Sequence, residues 1–229
     1  MLRAVLFDFN GVLLDDEPLH AELLIALARE DGIEVPQERY VTRYVGLNDR
    51  NAVAAIWHDA GRALPPDAIR RTVAEKARRY ERAVAGRDFF AGARELVREA
   101  ARRVPIGIVS GALRAEVIAG LKRAGIFDRF TALVASEDVS RGKPDPEGYA
   151  RGLADVNRDL ARGRKEPVSP REVLVIEDTE HGVAAARAAG MRVVAVGHTL
   201  PRHRLDAADA FVPRLVDLEL DAVIRELFG

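Results

Sequence analysis

Two aspartates that lie at the ends of short apolar runs are the residues in this sequence best suited to chemistry. Asp8 follows the run at 4–7, and Asp178 follows Glu177 after the run at 173–176. Short, all-apolar runs of this kind predict buried parallel strands. Ligands of open α/β sheets bind beyond the carboxyl ends of the strands, so we expect both aspartates at one edge of a sheet. There they are available as a nucleophile and as ligands of a hard cation such as Mg²⁺.

A serine beside two small residues marks a second candidate site. Ser110, Gly111 and Ala112 follow the apolar run at 106–109 and precede a helix that we predict to begin near Leu113. Because the amides at a helix N-terminus bind anions, these residues predict a phosphate site. The alternative is that Ser110 only caps the helix.

Apolar runs and helical segments alternate along the chain. Strands are predicted at 4–7, 106–109, 133–134, 173–176, 193–196 and 210–212. The segments between most of them have helical periodicity, and two of these segments end at Gly125 and Gly190, which are typical of helix C-termini. This order predicts an α/β fold with a doubly wound, parallel, Rossmann-like sheet. The polar stretch at 157–167 is predicted to be a solvated loop.

A long helical segment interrupts this alternation. Roughly 90 residues separate the first strand from the second, which is far longer than a simple crossover. Within it, helices are predicted at 17–31, 37–45, 49–60 and 66–84. We therefore predict an inserted four-helix domain at 16–86, within a core formed by 1–15 and 87–229. The alternative is a helical domain that has no part in catalysis.

Composition excludes several classes of function. Lys and Arg total 35 against 36 Asp and Glu, and this balance argues against the broad basic surface that binds nucleic acid. The absence of Cys excludes disulfides, a catalytic thiol and thiolate metal sites. The chain shows neither a secretory leader nor an apolar run of membrane-spanning length. We expect a cytoplasmic protein, monomeric, without membrane or nucleic acid partners.

Four motifs in order resemble those of the haloacid dehalogenase superfamily, in the branch of β-phosphoglucomutase and phosphoglycolate phosphatase with a helical cap. They are DFNGV at 8–12, IVSGA at 108–112, GKPDP at 142–146 and VIEDT at 175–179. The resemblance covers nearly the whole chain. It implies a Rossmann-like core with a cap, and Mg²⁺-dependent transfer of a phosphoryl group from a small phosphorylated metabolite.

The resemblance also implies roles for individual residues. Asp8 would be the nucleophile, forming an aspartyl phosphate, and would also bind Mg²⁺. Asp178 and the backbone carbonyl of Asn10 would be further metal ligands, with Glu177 near the metal's water shell. Lys143 would contact Asp8 and the transferring phosphoryl group. The alternatives are a turn-capping Asp8, a helix-capping pair at 177–178 and a solvated surface lysine at 143.

Within the predicted cap the matches to the family are looser. His20 resembles the histidine near the hinge of the mutase branch. The segment from Gly46 to Arg50 resembles the substrate-reading loop, and Lys76 resembles a contact to a distal phosphate. The alternative is that His20, Arg50 and Lys76 are surface residues on helices.

Asn10 stands where the family carries a second aspartate, which protonates the leaving group and later activates water. An amide has no proton to exchange near neutral pH, so Asn10 can orient a hydroxyl but cannot act as a general acid or base. Three explanations are open: loss of function, a variant that relies on His20 or on a good leaving group, and a protein that binds a phosphate ester without turning it over. We predict a Mg²⁺-dependent phosphatase or phosphomutase-like hydrolase, with a catalytically impaired phosphate-ligand binder as the alternative.

Overall fold

A computed structural model describes residues 1–229, and at its centre lies a sheet of six parallel strands in the order β3-β2-β1-β4-β5-β6. The strands are β1 (Ala4–Phe7), β2 (Ile106–Val109), β3 (Ala132–Val134), β4 (Val173–Glu177), β5 (Arg192–Val196) and β6 (Ala210–Val212). Every residue of β1, β2 and β4 is buried, as expected for strands covered on both faces. The predicted α/β fold with a doubly wound parallel sheet is confirmed.

Nine α-helices accompany the sheet. They are α1 (Glu17–Glu30), α2 (Gln37–Arg43), α3 (Asp49–Asp59), α4 (Pro66–Ala83), α5 (Ala93–Arg103), α6 (Arg114–Arg123), α7 (Glu147–Arg162), α8 (Glu180–Ala188) and α9 (Leu220–Phe228). Helix α7 packs on β1, β2 and β3 and also contacts α8, which packs on β4 and β5. None of the helices combines the length and the apolar character that crossing a bilayer requires.

The chain divides into two compact units. The sheet unit contains Met1–Leu14 and Phe89–Gly229, and the helical unit contains Asp15–Asp88. Helices α1 to α4 form the helical unit, and each lies within two residues of its predicted limits. The chain therefore leaves the sheet after β1 and returns to it before β2.

The helical unit has its own core. Trp57 on α3 is only 1% exposed, and its indole N–H donates to Asp31 Oδ2 at 2.8 Å. Helices α1 and α3 both pack on α4, and both α1 and α4 carry proline in the first turn, where no intrahelical N–H bond is lost.

The predicted loop at 157–167 is wrong in its first half. Helix α7 continues to Arg162, because Val156 and Leu160 extend its buried apolar face. Asn157, the first residue of this segment, makes two hydrogen bonds to the backbone of Val168, which follows the segment. Its side-chain N–H donates to Val168 O at 3.0 Å, and Val168 N–H donates to its Oδ1 at 2.7 Å.

We expect Asn157→Ala to lower the free energy of unfolding by about 1–3 kcal/mol, because it leaves a partly buried N–H and C=O without partners. The neighbouring Arg158→Ala is the control, since Arg158 is exposed and should change stability by less than about 0.5 kcal/mol. Urea unfolding of both variants measures the difference. Equal losses in the two variants would show that the clamp contributes no stability.

Candidate active site

The sheet register brings Asp8 and Asp178 to the same edge. Strands β1 and β4 are neighbours, with Phe7 opposite Ile176, so Asp8 is level with Glu177 and Asp178 follows one residue later. The backbone N–H of Asp8 continues the ladder and donates to Ile176 O at 3.0 Å. The strand order reverses direction between β1 and β4, and ligands of open sheets bind at such a point. Ser110 leaves β2, on the other side of β1.

Three carboxylates meet at this edge around one ammonium group. One oxygen each of Asp8, Glu177 and Asp178 lie within 4.8 Å of one another, and all three residues are buried. Lys143 Nζ lies 3.0 Å from Asp8 Oδ1 and 2.5 Å from Glu177 Oε1. Only 11% of the Lys143 side chain is exposed, so a solvated surface role for this lysine is wrong.

Burial controls the ionisation of this cluster. It raises the pKa of Asp8 to about 7, with a further rise from Glu177, and the neighbouring Lys143 only partly opposes the shift. Burial lowers the pKa of Lys143, but the negative charges of Asp8 and Glu177 outweigh it and hold that pKa above its usual range. Lys143 is therefore charged at neutral pH, whereas Asp8 is only partly ionised near pH 7 in the absence of a metal ion.

Glu177 faces the cluster and is fully buried. Tyr149 donates its hydroxyl proton to Glu177 Oε1 at 2.5 Å, and the backbone N–H of Asp178 donates to Oε2 at 3.1 Å. A β-carbon at Gly182, in the first turn of α8, would overlap this carboxylate. Helix α8 is capped instead by Thr179, whose Oγ1 accepts from Gly182 N–H at 3.2 Å. The helix-capping role considered for 177–178 is thus filled by another residue.

Asp178 packs directly against the turn that follows Asp8. Gly11 has φ +72°, and a β-carbon there would overlap the Asp178 carboxylate and lie 2.7 Å from Thr199 Oγ1. Thr199 donates its hydroxyl proton to Asp178 Oδ2. Glycine is required at position 11 both for the left-handed backbone and for this close approach.

Ser110 joins the same site from β2. Its hydroxyl donates to Asn10 Oδ1 at 3.3 Å and accepts from Ala112 N–H at 3.1 Å. The N-cap of α6 is Leu113, so Ser110 does not cap that helix. Gly111, between Ser110 and Ala112, is partly exposed. The predicted phosphate-binding residues therefore stand beside Asn10 at the end of the sheet.

The donor atoms suit a hard divalent cation. Three carboxylates and one ammonium leave two negative charges in excess when all are ionised. Carboxylate oxygen is the ligand that Mg²⁺ prefers, and nitrogen or sulfur ligands are absent from the cluster. A cation there would also lower the pKa of Asp8, which burial and the charge of Glu177 raise.

The candidate residues of the helical unit form a separate buried network. Lys76 is fully buried, with Nζ 2.8 Å from Asp49 Oδ2 and a hydrogen bond to His20 Nδ1. His20 Nε2 lies 3.2 Å from Asp16 Oδ2, which also accepts from the Tyr80 hydroxyl. The surface role considered for His20 and Lys76 is therefore wrong.

The two remaining cap candidates lie outside this network. Arg50 is exposed near the start of α3, as the surface alternative predicts. Gly46 has φ +81° in the turn between α2 and α3. Both belong to the segment that resembles the substrate-reading loop of the family.

Sequence reasoning missed five residues that the structure places in these networks: Asp16, Asp49, Tyr149, His198 and Thr199. Only the last two carried a usable signal, because they follow the apolar run of β5 and so had to reach the same edge of the sheet. The others sit within or beside helices, where their spacing resembles that of ordinary polar residues.

The fold and the carboxylate cluster define an α/β protein with its site at the β1–β4 switch point. A profile of the haloacid dehalogenase-like hydrolases matches residues 2–190, and the chain belongs to that family. Its fold is that of the β-phosphoglucomutase branch. The crystal structure of β-phosphoglucomutase from Clostridium difficile superposes with a TM-score of 0.85 at 22% identity, covering 99% of this chain and 97% of that one.

Two curated relatives are similar over nearly their full length. Validoxylamine A 7'-phosphate phosphatase from Streptomyces hygroscopicus subsp. limoneus is 30% identical over 221 residues, which are 95% of this chain and 96% of that protein. β-Phosphoglucomutase from Bacillus subtilis is 28% identical over 232 residues, with coverage of 98% and 95%. The predicted family is confirmed.

We expect the metal-free protein to lose stability as the pH rises towards 7. Asp8 has a pKa of about 7 in the folded chain and the ordinary value of 3.8 when unfolded. Between these values the unfolded chain has released a proton that the folded chain keeps, so unfolding becomes easier as the pH rises; above both values the slope ends. Because the Asn side chain of Asp8→Asn is neutral at every pH, the stability of this variant relative to wild type should increase between about pH 4 and about pH 7 and then remain constant.

Urea unfolding in the presence of a chelator measures this difference. Asp128→Asn serves as the control, since Asp128 is exposed and should show no such pH dependence. A difference between Asp8→Asn and wild type that is the same at every pH would contradict the shifted titration of Asp8.

Proposed function

We propose that this protein is a Mg²⁺-dependent hydrolase of a small phosphorylated metabolite, of phosphatase or phosphomutase type, with Asp8 as its nucleophile. The observation that carries the proposal is the buried cluster of Asp8, Glu177 and Asp178 around Lys143, in a member of the haloacid dehalogenase-like family. Two relatives named as a phosphatase of a 7'-phosphate and as β-phosphoglucomutase support the substrate class.

The side chains of Asp8 and Asp178 and the backbone carbonyl of Asn10 would hold the Mg²⁺ ion, and Glu177 would orient its water shell. When bound, the ion supplies positive charge that offsets the charge of the phosphoryl oxygens. The replacement of aspartate by Asn10 leaves that backbone carbonyl in place.

In the first step, a carboxylate oxygen of Asp8 attacks phosphorus as the bond to the ester oxygen breaks, which leaves an aspartyl phosphate. Lys143 lies beside the attacking carboxylate and offsets charge on the phosphoryl group. The Ser110 hydroxyl and the amides of Gly111 and Ala112 hold the other phosphoryl oxygens. Water then attacks phosphorus, the P–O bond to Asp8 breaks, and the released phosphate takes up the proton that the water loses.

Asn10 weakens both steps of this sequence, the second because an amide cannot take a proton from the attacking water. The departing oxygen needs a proton, and an amide cannot provide one. Esters with a good leaving group react without this proton, whereas the hydrolysis of sugar phosphates becomes slower by about 10²–10⁴-fold. The second candidate function is therefore a phosphate-ligand binder. It rests on Asn10, whose amide lies beside Ser110 and can orient a phosphate ester without protonating its leaving group.

The helical segment at 16–86 is proposed to be the cap that selects the substrate. Gly46 and Arg50 would read the ligand, since Arg50 offers an exposed guanidinium. Lys76 already has Asp49 and His20 as partners, so we assign it to the support of His20 rather than to a distal phosphate.

We expect Asp8→Ala to reduce phosphate release by on the order of 10³-fold or more, because it removes the nucleophile. The same change should weaken binding of Mn²⁺, used as a paramagnetic substitute for Mg²⁺, because the side chain is also a metal ligand. Phosphate-release assays and electron paramagnetic resonance measure the two effects, with exposed Asp128→Ala as control. Substantial turnover in Asp8→Ala would refute the mechanism.

We expect Asn10→Asp to raise the turnover of sugar phosphates by about 10²–10⁴-fold, because it restores a proton donor. Hydrolysis of p-nitrophenyl phosphate should increase less, because nitrophenolate leaves without a proton and only the water step gains. Steady-state kinetics on both ester types distinguishes the two candidate functions. Comparable sugar phosphate rates in wild type and variant would show that the protein does not depend on aspartate at position 10.

A further inference from the structure

His198, in the turn after β5, contacts the turn that carries the proposed nucleophile. Its Nδ1 lies 2.9 Å from the carbonyl oxygen of Gly11, and the backbone N–H of Leu215 donates to its Nε2 at 2.9 Å. Because Nε2 accepts a hydrogen bond, the proton of the neutral ring is on Nδ1. The imidazole therefore donates to Gly11 and accepts from Leu215.

Stacking fixes the ring as well. The Phe90 ring lies against His198 with the ring centres 3.7 Å apart and an angle of 24° between the planes. Hydrogen bonds at both nitrogens and this contact on one face leave the imidazole a single orientation. Its Nδ1–H is thus a fixed donor within the sheet unit.

The Gly11 carbonyl belongs to a closed turn. The N–H of Gly11 donates to Leu14 O at 2.9 Å, and the N–H groups of Leu13 and Leu14 donate to Phe9 O at 2.9 and 3.0 Å. His198 ties this turn to the chain after β5. The next residue, Thr199, donates to Asp178, so two adjacent residues hold both sides of the proposed metal site.

We propose that His198 is a positioning residue for phosphoryl transfer: through the Gly11 carbonyl it sets the placement of Asp8 and the Asn10 carbonyl. This inference rests on the proposed function. A displacement of about 1 Å at a reacting group can reduce the rate by about 10²-fold, so a single donor to this turn has a measurable effect.

Two substitutions separate the contacts of the ring. In His198→Asn the side-chain amide nitrogen takes the place of Nδ1 and still donates to Gly11. In His198→Gln the longer side chain can accept from Leu215 at the place of Nε2 but gives up the donor to Gly11. Exposed His203→Gln is the control for the substitution itself.

We expect His198→Gln to lower kcat by about 10- to 100-fold with a much smaller change in KM, and His198→Asn to recover most of the loss. Hydrogen exchange of the peptide covering 8–14, followed by mass spectrometry, should become faster in His198→Gln and stay near the wild-type rate in His198→Asn. The His203 control should change neither quantity.

Equal losses of kcat in the two His198 variants would overturn the proposal, because they would assign the effect to stacking or to Leu215. Unchanged exchange at 8–14 in His198→Gln would overturn it as well. If the wild type hydrolyses no phosphate ester, the proposed function fails, and the exchange comparison still decides whether His198 holds the turn.

Discussion

Mutual repulsion among buried carboxylates is the constraint on which the sheet unit depends. Two like charges about 4 Å apart repel by about 4 kcal/mol at an effective dielectric constant of about 20. One carboxylate oxygen each of Asp8, Glu177 and Asp178 lie within 4.8 Å of one another, and all three residues are buried. Lys143 offsets part of this charge, while burial and, to a smaller extent, the negative charge of Glu177 raise the pKa of Asp8. A site built in this way gains stability when a cation or a proton enters it.

The helical unit also holds carboxylates in a buried network, but with different partners. There the ammonium of Lys76 lies between a carboxylate, Asp49, and an imidazole, while Asp16 accepts from a phenol and contacts the same imidazole. Each carboxylate of this network has an ammonium group or a hydrogen-bond donor beside it. The contrast explains why the cluster at the sheet edge, and not this network, has the donor set of a cation site.

Much of this arrangement could be predicted from local sequence. The all-apolar runs of β1 and β4 are too short for helices and end in carboxylates, and parallel pairing then brings Asp8 and Asp178 to one edge. The four helices of the helical unit were predictable because breakers such as Gly61 and Pro65 separate periodic segments. The first half of the predicted loop at 157–167 was wrong because its charged residues obscure Leu160, which continues the apolar face of α7 after Val156.

The remaining details depend on contacts that local pattern does not encode. Strand alternation does not determine where the side chain of Glu177, the last residue of β4, points. The position of its carboxylate depends on the space left by Gly182. Tyr149 reaches Glu177 from α7, and nothing in its helical spacing separates it from a core aromatic. Lys76 looks like a surface lysine because a helix pattern does not reveal the acidic partner on another helix.

The position of β1 also determines when the site can assemble during synthesis. Asp8 is made first, yet its strand pairs with β2 and β4, and Asp178 emerges from the ribosome about 170 residues later. The helical unit packs mainly within Asp15–Asp88, a segment completed before β4 is made, so it can form in the interval. A chain interrupted before β4 therefore leaves a wholly apolar strand with one open edge, and aggregation, rather than partial activity, is the expected fate of such fragments.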